Sequence, residues 1–249
     1  MNNLWDKIFS ENNNLTANWY KNITVVIKTF LRYDCLNIIL SDWNKKYNNI
    51  NIVVIDDTPS KDKIELSLPK NISYHWFDRT IGLSKGRNFG VSIANTKYVF
   101  ISDDDDLAPN YSVLKKTYDI LENSDFDIIG SQPHDIIISN DKLKCIPKKF
   151  IYGDIQSCDG VLNHFLAKKD RLCKWDENII IFREHIDFFL QSKRKQIKVG
   201  AYKRLTHRSI KNNCLKDLDL SRYNYYRYNT DSNQYFMDKW KLLEIGRLW

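Results

Sequence analysis

A chain of 249 residues with 43% hydrophobic and 28% charged side chains is long enough to bury a sizeable core, and that composition excludes long disorder. Eight glycines and five prolines exclude collagen-like and linker-rich architectures, and no run of about 18 apolar residues offers a membrane span. The formal charge of +7 favours anionic partners, meaning phosphorylated substrates or an anionic membrane surface, ahead of nucleic acid.

Residues 1–22, rich in Asn and carrying Trp5, Phe9, Trp19 and Tyr20, are expected to form a short helical arm. Their opening lacks the basic-then-apolar order of a secretory signal, so a cytoplasmic protein is expected. From Ile23 onward, strand and helix signals alternate in the manner of a parallel sheet with helices on both faces. Ile23–Lys28 and Ile50–Ile55 are β-branched apolar runs, and between them Leu36, Ile39, Leu40 and Trp43 recur at helical intervals. A third strand, Ile72–Trp76, precedes a Gly-bearing loop that holds Lys85 and Arg87, and a helix is expected over Phe89–Asn95.

Tyr98–Ser102 is another apolar strand and runs directly into Asp103, Asp104, Asp105 and Asp106. A helix follows over Tyr111–Glu122 and a strand from Asp127. Asp135–Ser139 and Lys148–Ile151 are expected as antiparallel pieces around a turn at Asn140-Asp141. A strand-like stretch over Lys198–Leu205 leads to His207. Past Ser221 the chain is dense in aromatics (Tyr223, Tyr225, Tyr226, Tyr228, Trp240), and a helix is expected over Tyr235–Leu248. The expected domains are thus the arm (1–22), one α/β domain (23–220), and a helical tail packing on it (221–249). Five cysteines, Cys35, Cys145, Cys158, Cys173 and Cys214, odd in number and without a C-x-x-C pair, are expected to be reduced thiols.

Four aspartates in a row at the end of a buried strand repel one another and raise each other's pKa. A divalent cation with substrate phosphates offsets that cost, and the carboxyl ends of parallel strands are where such ligands bind. Asp56 and Asp57 form a second acidic pair at a strand end, suited to a ribose hydroxyl or a base N–H, or to capping a helix. Lys85 and Arg87 suit a phosphate or the aspartates. Glu184 and Asp187 lie three apart near a helix start with His185 between them, and any of the three could take a proton from an attacking hydroxyl. His207 is a candidate metal or phosphate ligand.

Four ordered motifs resemble those of inverting glycosyltransferases of family two, which share the GT-A fold, and in particular the β-1,4-N-acetylgalactosaminyltransferases of the ganglioside-synthase type. They are Val26-Ile-Lys-Thr-Phe-Leu-Arg32, Gly82-Leu-Ser-Lys-Gly-Arg-Asn88, Thr96-Lys-Tyr-Val99 ahead of Asp103-Asp-Asp, and Glu184-His-Ile-Asp-Phe-Phe189. The resemblance implies a Rossmann-like, mostly parallel sheet with a small antiparallel piece, and transfer of GalNAc, GlcNAc or galactose from a UDP-sugar with Mn²⁺ or Mg²⁺. It implies that Thr29, Arg32 and Asp56 or Asp57 line the nucleoside site, with Lys85 and Arg87 near. An Asp-x-Asp pair would hold metal and diphosphate, in the register Asp103/Asp105 or Asp104/Asp106, and His207 would complete the metal site. His185 stands where relatives carry a base aspartate, so the base falls among Asp187, Glu184 and His185. The acceptor is expected to be a glycan, with peripheral contact at a bacterial inner membrane and no nucleic-acid partner. Rival functions are a sugar-1-phosphate nucleotidyltransferase, disfavoured because no Gly-rich loop follows the first strand, and a non-catalytic binding module.

Overall fold

A computed structural model of the protein describes residues 18–78, 80–151, 153–210, 223–225 and 231–246. The expected arm lies mostly outside the described residues. Within them Trp19–Asn22 form a 3-10 turn, and Trp19 packs edge-on against Tyr20, Tyr47 and Tyr111. Tyr226 and Tyr228 also fall outside the described residues.

Eleven strands and five helices are used below. The strands are β1 (Ile23–Thr29), β2 (Asn51–Asp56), β3 (Ile72–Trp76), β4 (Tyr98–Asp103), β5 (Ile128–Gly130), β6 (His134–Ser139), β7 (Lys142–Pro147), β8 (Ile155–Cys158), β9 (Phe165–Lys168), β10 (Val199–Tyr202) and β11 (Glu244–Ile245). The helices are α1 (Tyr33–Lys46), α2 (Leu83–Ile93), α3 (Tyr111–Asn123), α4 (Glu184–Arg194) and α5 (Ser232–Trp240). The main sheet runs β3-β2-β1-β4-β9-β5-β10-β8. Its first four strands are mutually parallel, β9 is antiparallel to both β4 and β5, and β10 is parallel to β5. A smaller sheet, β11-β7-β6, contains the antiparallel β6–β7 hairpin. This is the mostly parallel α/β sheet with a small antiparallel piece that the resemblance implies.

Every residue of β1 is buried, as expected for a central parallel strand covered on both faces. On one face Leu36, Ile39 and Trp43 of α1 and Leu114 and Leu121 of α3 pack against Val25, Ile27 and Phe100. On the other, Phe188 and Phe189 of α4 and Phe236 and Trp240 of α5 join Val26, Ile55 and Ile101.

Several boundaries differ from expectation. The Gly-bearing segment is not a loop: α2 begins at Leu83, six residues before the expected start. Gly86 and Gly90 serve close packing instead, since a Cβ on Gly86 would lie 2.6 Å from Lys28 Cδ and one on Gly90 2.5 Å from both Ile55 Cδ1 and Val26 Cγ1. The hairpin turn at Asn140-Asp141 is present, with φ of 49° and 57°, as a two-residue turn of the favoured twist requires. Its second strand starts at Lys142, not Lys148, because Leu143 and Cys145 alternate inward between exposed lysines. The tail helix spans Ser232–Trp240 and stops where Lys241 turns left-handed at φ 55°, so that Glu244–Ile245 can pair with β7. Strands β8 and β9 were not foreseen. Cys35 is disulfide-bonded, correcting the expectation of five reduced thiols, because spacing alone does not reveal which sulfurs a fold brings together; Cys145, Cys158 and Cys173 are free. Among the described residues, no helix is long and apolar enough to cross a membrane.

Candidate active site

The carboxyl ends of β1, β2 and β4 open onto one cleft, the position at which open α/β sheets take their ligands. Lys28, Thr29 and Arg32 come from the exit of β1, Asp57 from that of β2 and Asp103 from that of β4, and Gly82, Ile180 and Tyr223 close the far side.

The four aspartates divide by their partners. Asp104 is fully buried and its oxygens are occupied: Thr29 Oγ1 donates to Oδ2 at 2.7 Å, Arg32 Nε to the same oxygen at 3.2 Å, and Arg32 Nη2 to Oδ1. Arg32 also donates from Nη1 to Asp105 Oδ2 at 2.8 Å, so one planar fork ties two neighbouring carboxylates. Burial pushes the Asp104 carboxyl up to about 6, against the pull of Arg32. Burial also opposes the charge on Arg32, but Asp104 and Asp105 raise its pKa above the ordinary value.

Asp103, a third of whose side chain remains exposed, faces the cleft and accepts from Arg87 Nη2 at 2.6 Å. Desolvation works against its charge, but Arg87 and Arg32 outweigh it and hold this carboxyl below its usual value. Oxygens of Asp103, Asp105 and Asp106 lie within 4.8 Å of one another. Three hard oxygen donors so close are a fitting seat for Mg²⁺ or Mn²⁺. Asp104, held by Thr29 and Arg32, is outside that group.

Asp106 is brought to its partner by a return of the chain a hundred residues later. Leu107 N–H donates to Arg208 C=O at 3.0 Å and Ile210 N–H to Asp105 C=O at 2.8 Å, which sets His207 Nε2 2.6 Å from Asp106 Oδ1. Burial pushes Asp106 up to about 7, against the His207 hydrogen bond. The same hydrogen bond raises the His207 pKa.

The other candidates separate in the same way. Asp56 is buried beneath the cleft as an acceptor for Tyr33 Oη at 2.6 Å, Tyr74 Oη at 2.5 Å and Thr58 N–H at 2.8 Å. Asp57 lies on the cleft wall, pairs with Lys28, and accepts from Ile81 and Gly82 N–H at 2.9 and 3.0 Å. Lys85 is exposed on α2 and is not one of the residues lining the cleft. Arg87, two residues on, is almost completely buried and spans from Asp103 to Glu184, whose Oε1 is 3.6 Å from Nη1. Sequence reasoning missed Lys28 as a site residue, although an ionisable side chain inside an apolar strand was a signal for it.

At the start of α4, Phe182 and Arg183 both take positive φ, 59° and 67°. Non-glycine residues seldom adopt this conformation, and such strain concentrates at functional sites. The turn it makes delivers Glu184 to Arg87. His185 is buried edge-on to Phe189 at 5.1 Å, and burial, followed by Arg87, pushes its imidazole down to about 3. Asp187 is fully buried among other partners: Trp240 Nε1 at 2.7 Å, Gln191 Nε2 at 2.6 Å and Lys239 Nζ at 2.7 Å. Glu184 is thus brought to the acidic cluster, whereas Asp187 is bound to the tail helix.

The profile of the family described as Glycosyl transferase family 2 matches residues 24–193. Beta-1,4 N-acetylgalactosaminyltransferase 1 of Rattus norvegicus is 29% identical over 201 residues, covering 72% of this chain and 37% of the relative. Beta-1,4 N-acetylgalactosaminyltransferase 2 of Mus musculus is 29% identical over 185 residues, covering 68% and 35%. The chain therefore spans about a third of the length of these curated relatives. Among solved structures, S. aureus TarS 1-349 in complex with UDP superimposes with a TM-score of 0.53 at 14% identity, covering 74% of this chain and 59% of that one; at that identity the likeness is one of fold.

Proposed function

The chain belongs to glycosyl transferase family 2, and on that premise we propose that it transfers GalNAc, GlcNAc or galactose from a UDP-sugar to an acceptor hydroxyl with inversion at the anomeric carbon. The observation that carries this is the trio of Asp103, Asp105 and Asp106, of which Asp103 lines a cleft that also offers Lys28 and Arg32 to a diphosphate. A divalent cation held there would act as a Lewis acid toward the departing nucleoside diphosphate. Asp103 and Asp105 are the proposed principal ligands, with Asp106 and His207 flanking them. This choice of register follows from Asp104, whose oxygens are occupied by Thr29 and Arg32.

The remaining roles belong to the chain's own groups. Arg32, fixed by two carboxylates, stands over the Tyr223 ring at 5.8 Å, and together with Thr29 and Asp57 forms the wall against which the nucleoside would lie. Arg87 neutralises Asp103 and holds Glu184 in reach of the cluster. Glu184 is the proposed general base, taking the acceptor's proton as its oxygen attacks. His185, pushed down to about 3, is neutral and a weak base at physiological pH, and Asp187 is committed to α5. The acceptor is inferred to be a bacterial surface glycan, on the support of an Asn-, Ile- and Lys-rich composition; peripheral contact with an inner membrane belongs to the same inference.

The test is UDP release from a panel of UDP-sugars, with Mn²⁺ and with a chelator. Metal-dependent release from at least one of UDP-GalNAc, UDP-GlcNAc and UDP-galactose is expected. Release from none, with or without acceptor glycans, would overturn the proposal.

A further inference from the structure

His164 has no task in the chemistry above, yet it is fully buried and neither ring nitrogen has a hydrogen-bond partner among the described residues. A polar side chain left so in the interior is costly and calls for a physical reason. Sheet register explains how it comes to be there. Strand β9 runs antiparallel to β4 with Phe165 opposite Ile101, so His164, one residue earlier, sits beside the point where β4 gives way to the aspartates. Its Nδ1 lies 3.9 Å from Asp106 Oδ2, and the ring of Phe100 meets the imidazole edge-on at 4.9 Å, restricting its tilt. Asp106 thus stands between two imidazoles: His207, partly exposed, on Oδ1, and His164, fully buried, facing Oδ2.

At 3.9 Å the pair falls short of a hydrogen bond, and a carboxylate rotation of about 1 Å closes it to the ordinary range. We propose that His164 is a positioning residue for the cation site, donating from Nδ1–H to Asp106 Oδ2 when that carboxylate engages a divalent cation. Carboxylates that ligate metals are themselves oriented by such outer donors, whose loss weakens metal binding without removing a ligand. Because the position is sealed, water cannot readily substitute for the ring. The inference rests on the cation site proposed above.

Mn²⁺ titration of the whole chain, followed by calorimetry, tests it in the parent, His164→Phe and His164→Asn. His164→Phe should weaken Mn²⁺ roughly 10–100-fold with UDP binding in chelator unchanged, and His164→Asn, which keeps a donor, should recover most of the loss. A lowered melting temperature in both variants with Mn²⁺ affinity intact would reduce His164 to core packing and overturn the inference alone. Failure of the parent to bind Mn²⁺ would instead overturn the cation site, and this inference with it. A measurement free of folding defects is the ring ¹⁵N spectrum of the folded parent, in which the His164 resonances should move on addition of Mg²⁺; unmoved resonances at saturating Mg²⁺ would also overturn it.

Discussion

Replacing Asp187 with Asn separates stability from chemistry at the start of α4. Asp187 is fully buried and accepts from Trp240, Gln191 and Lys239, all within 2.7 Å. An amide keeps one acceptor oxygen and turns an NH₂ group toward a donor, so at least one charge-assisted bond is lost and a donor is left facing a donor. Breaking a buried pair from one side costs about 3–5 kcal/mol. Lys239 retains Asp176 at 2.6 Å and a fifth of its side chain is exposed, which places the expected loss near the lower end, about 3 kcal/mol. For a chain of this size that corresponds to a fall of roughly 6–12 °C in melting temperature. Thermal melting and turnover are to be measured together, beside Glu184→Gln. The Asp187 variant should melt early and retain turnover below its transition. Glu184→Gln should melt closer to the parent and lose about 10²–10⁴-fold in turnover. An Asp187→Asn protein with an unchanged melting temperature and no turnover would refute the reasoning and make Asp187 the base.

The pH dependence of metal binding follows from Asp106, whose carboxyl is pushed up to about 7 by burial. Below that value a cation must displace a proton, so Mn²⁺ affinity measured by calorimetry should fall about tenfold per pH unit for each proton released and level off above pH 8; a flat profile from pH 5 to 8 would contradict this. Asp104→Asn, which weakens the Arg32 fork from one side, should cost about 3–5 kcal/mol in urea unfolding, whereas Asp103→Asn with Asp105→Asn should abolish Mn²⁺ binding and also lower stability, because it takes one carboxylate each from Arg87 and Arg32. Gly90→Ala places a Cβ 2.5 Å from Ile55 Cδ1 and Val26 Cγ1 and should destabilise by about 1–3 kcal/mol, read by the same unfolding.

The parallel half of the sheet was legible because β1, β2 and β4 are buried on both faces and so read as unbroken β-branched runs. The acidic cluster was legible for the same reason, standing at the end of one of them. The division of labour within it was not, since it depends on Arg32, 72 residues from Asp104, and on His207, which a return of the chain delivers to Asp106. Asp56 and Asp57 look alike in sequence, and only the hydroxyls of Tyr33 and Tyr74 show which one is sunk beneath the cleft. Helical spacing put Glu184 and Asp187 on one face, but the tail helix α5 takes Asp187 for itself, a contact over 53 residues. His164 carried no local signal: its meaning lies in the antiparallel insertion of β9 beside β4, which spacing cannot supply.

Crystals soaked with Mn²⁺ and UDP, with data collected at the manganese absorption edge, test the central claim most directly. An anomalous peak bounded by Asp103 and Asp105 is expected, with the diphosphate seated between it and the Lys28–Arg32 wall. UDP bound in the cleft with manganese elsewhere, or excluded from it altogether, would contradict it.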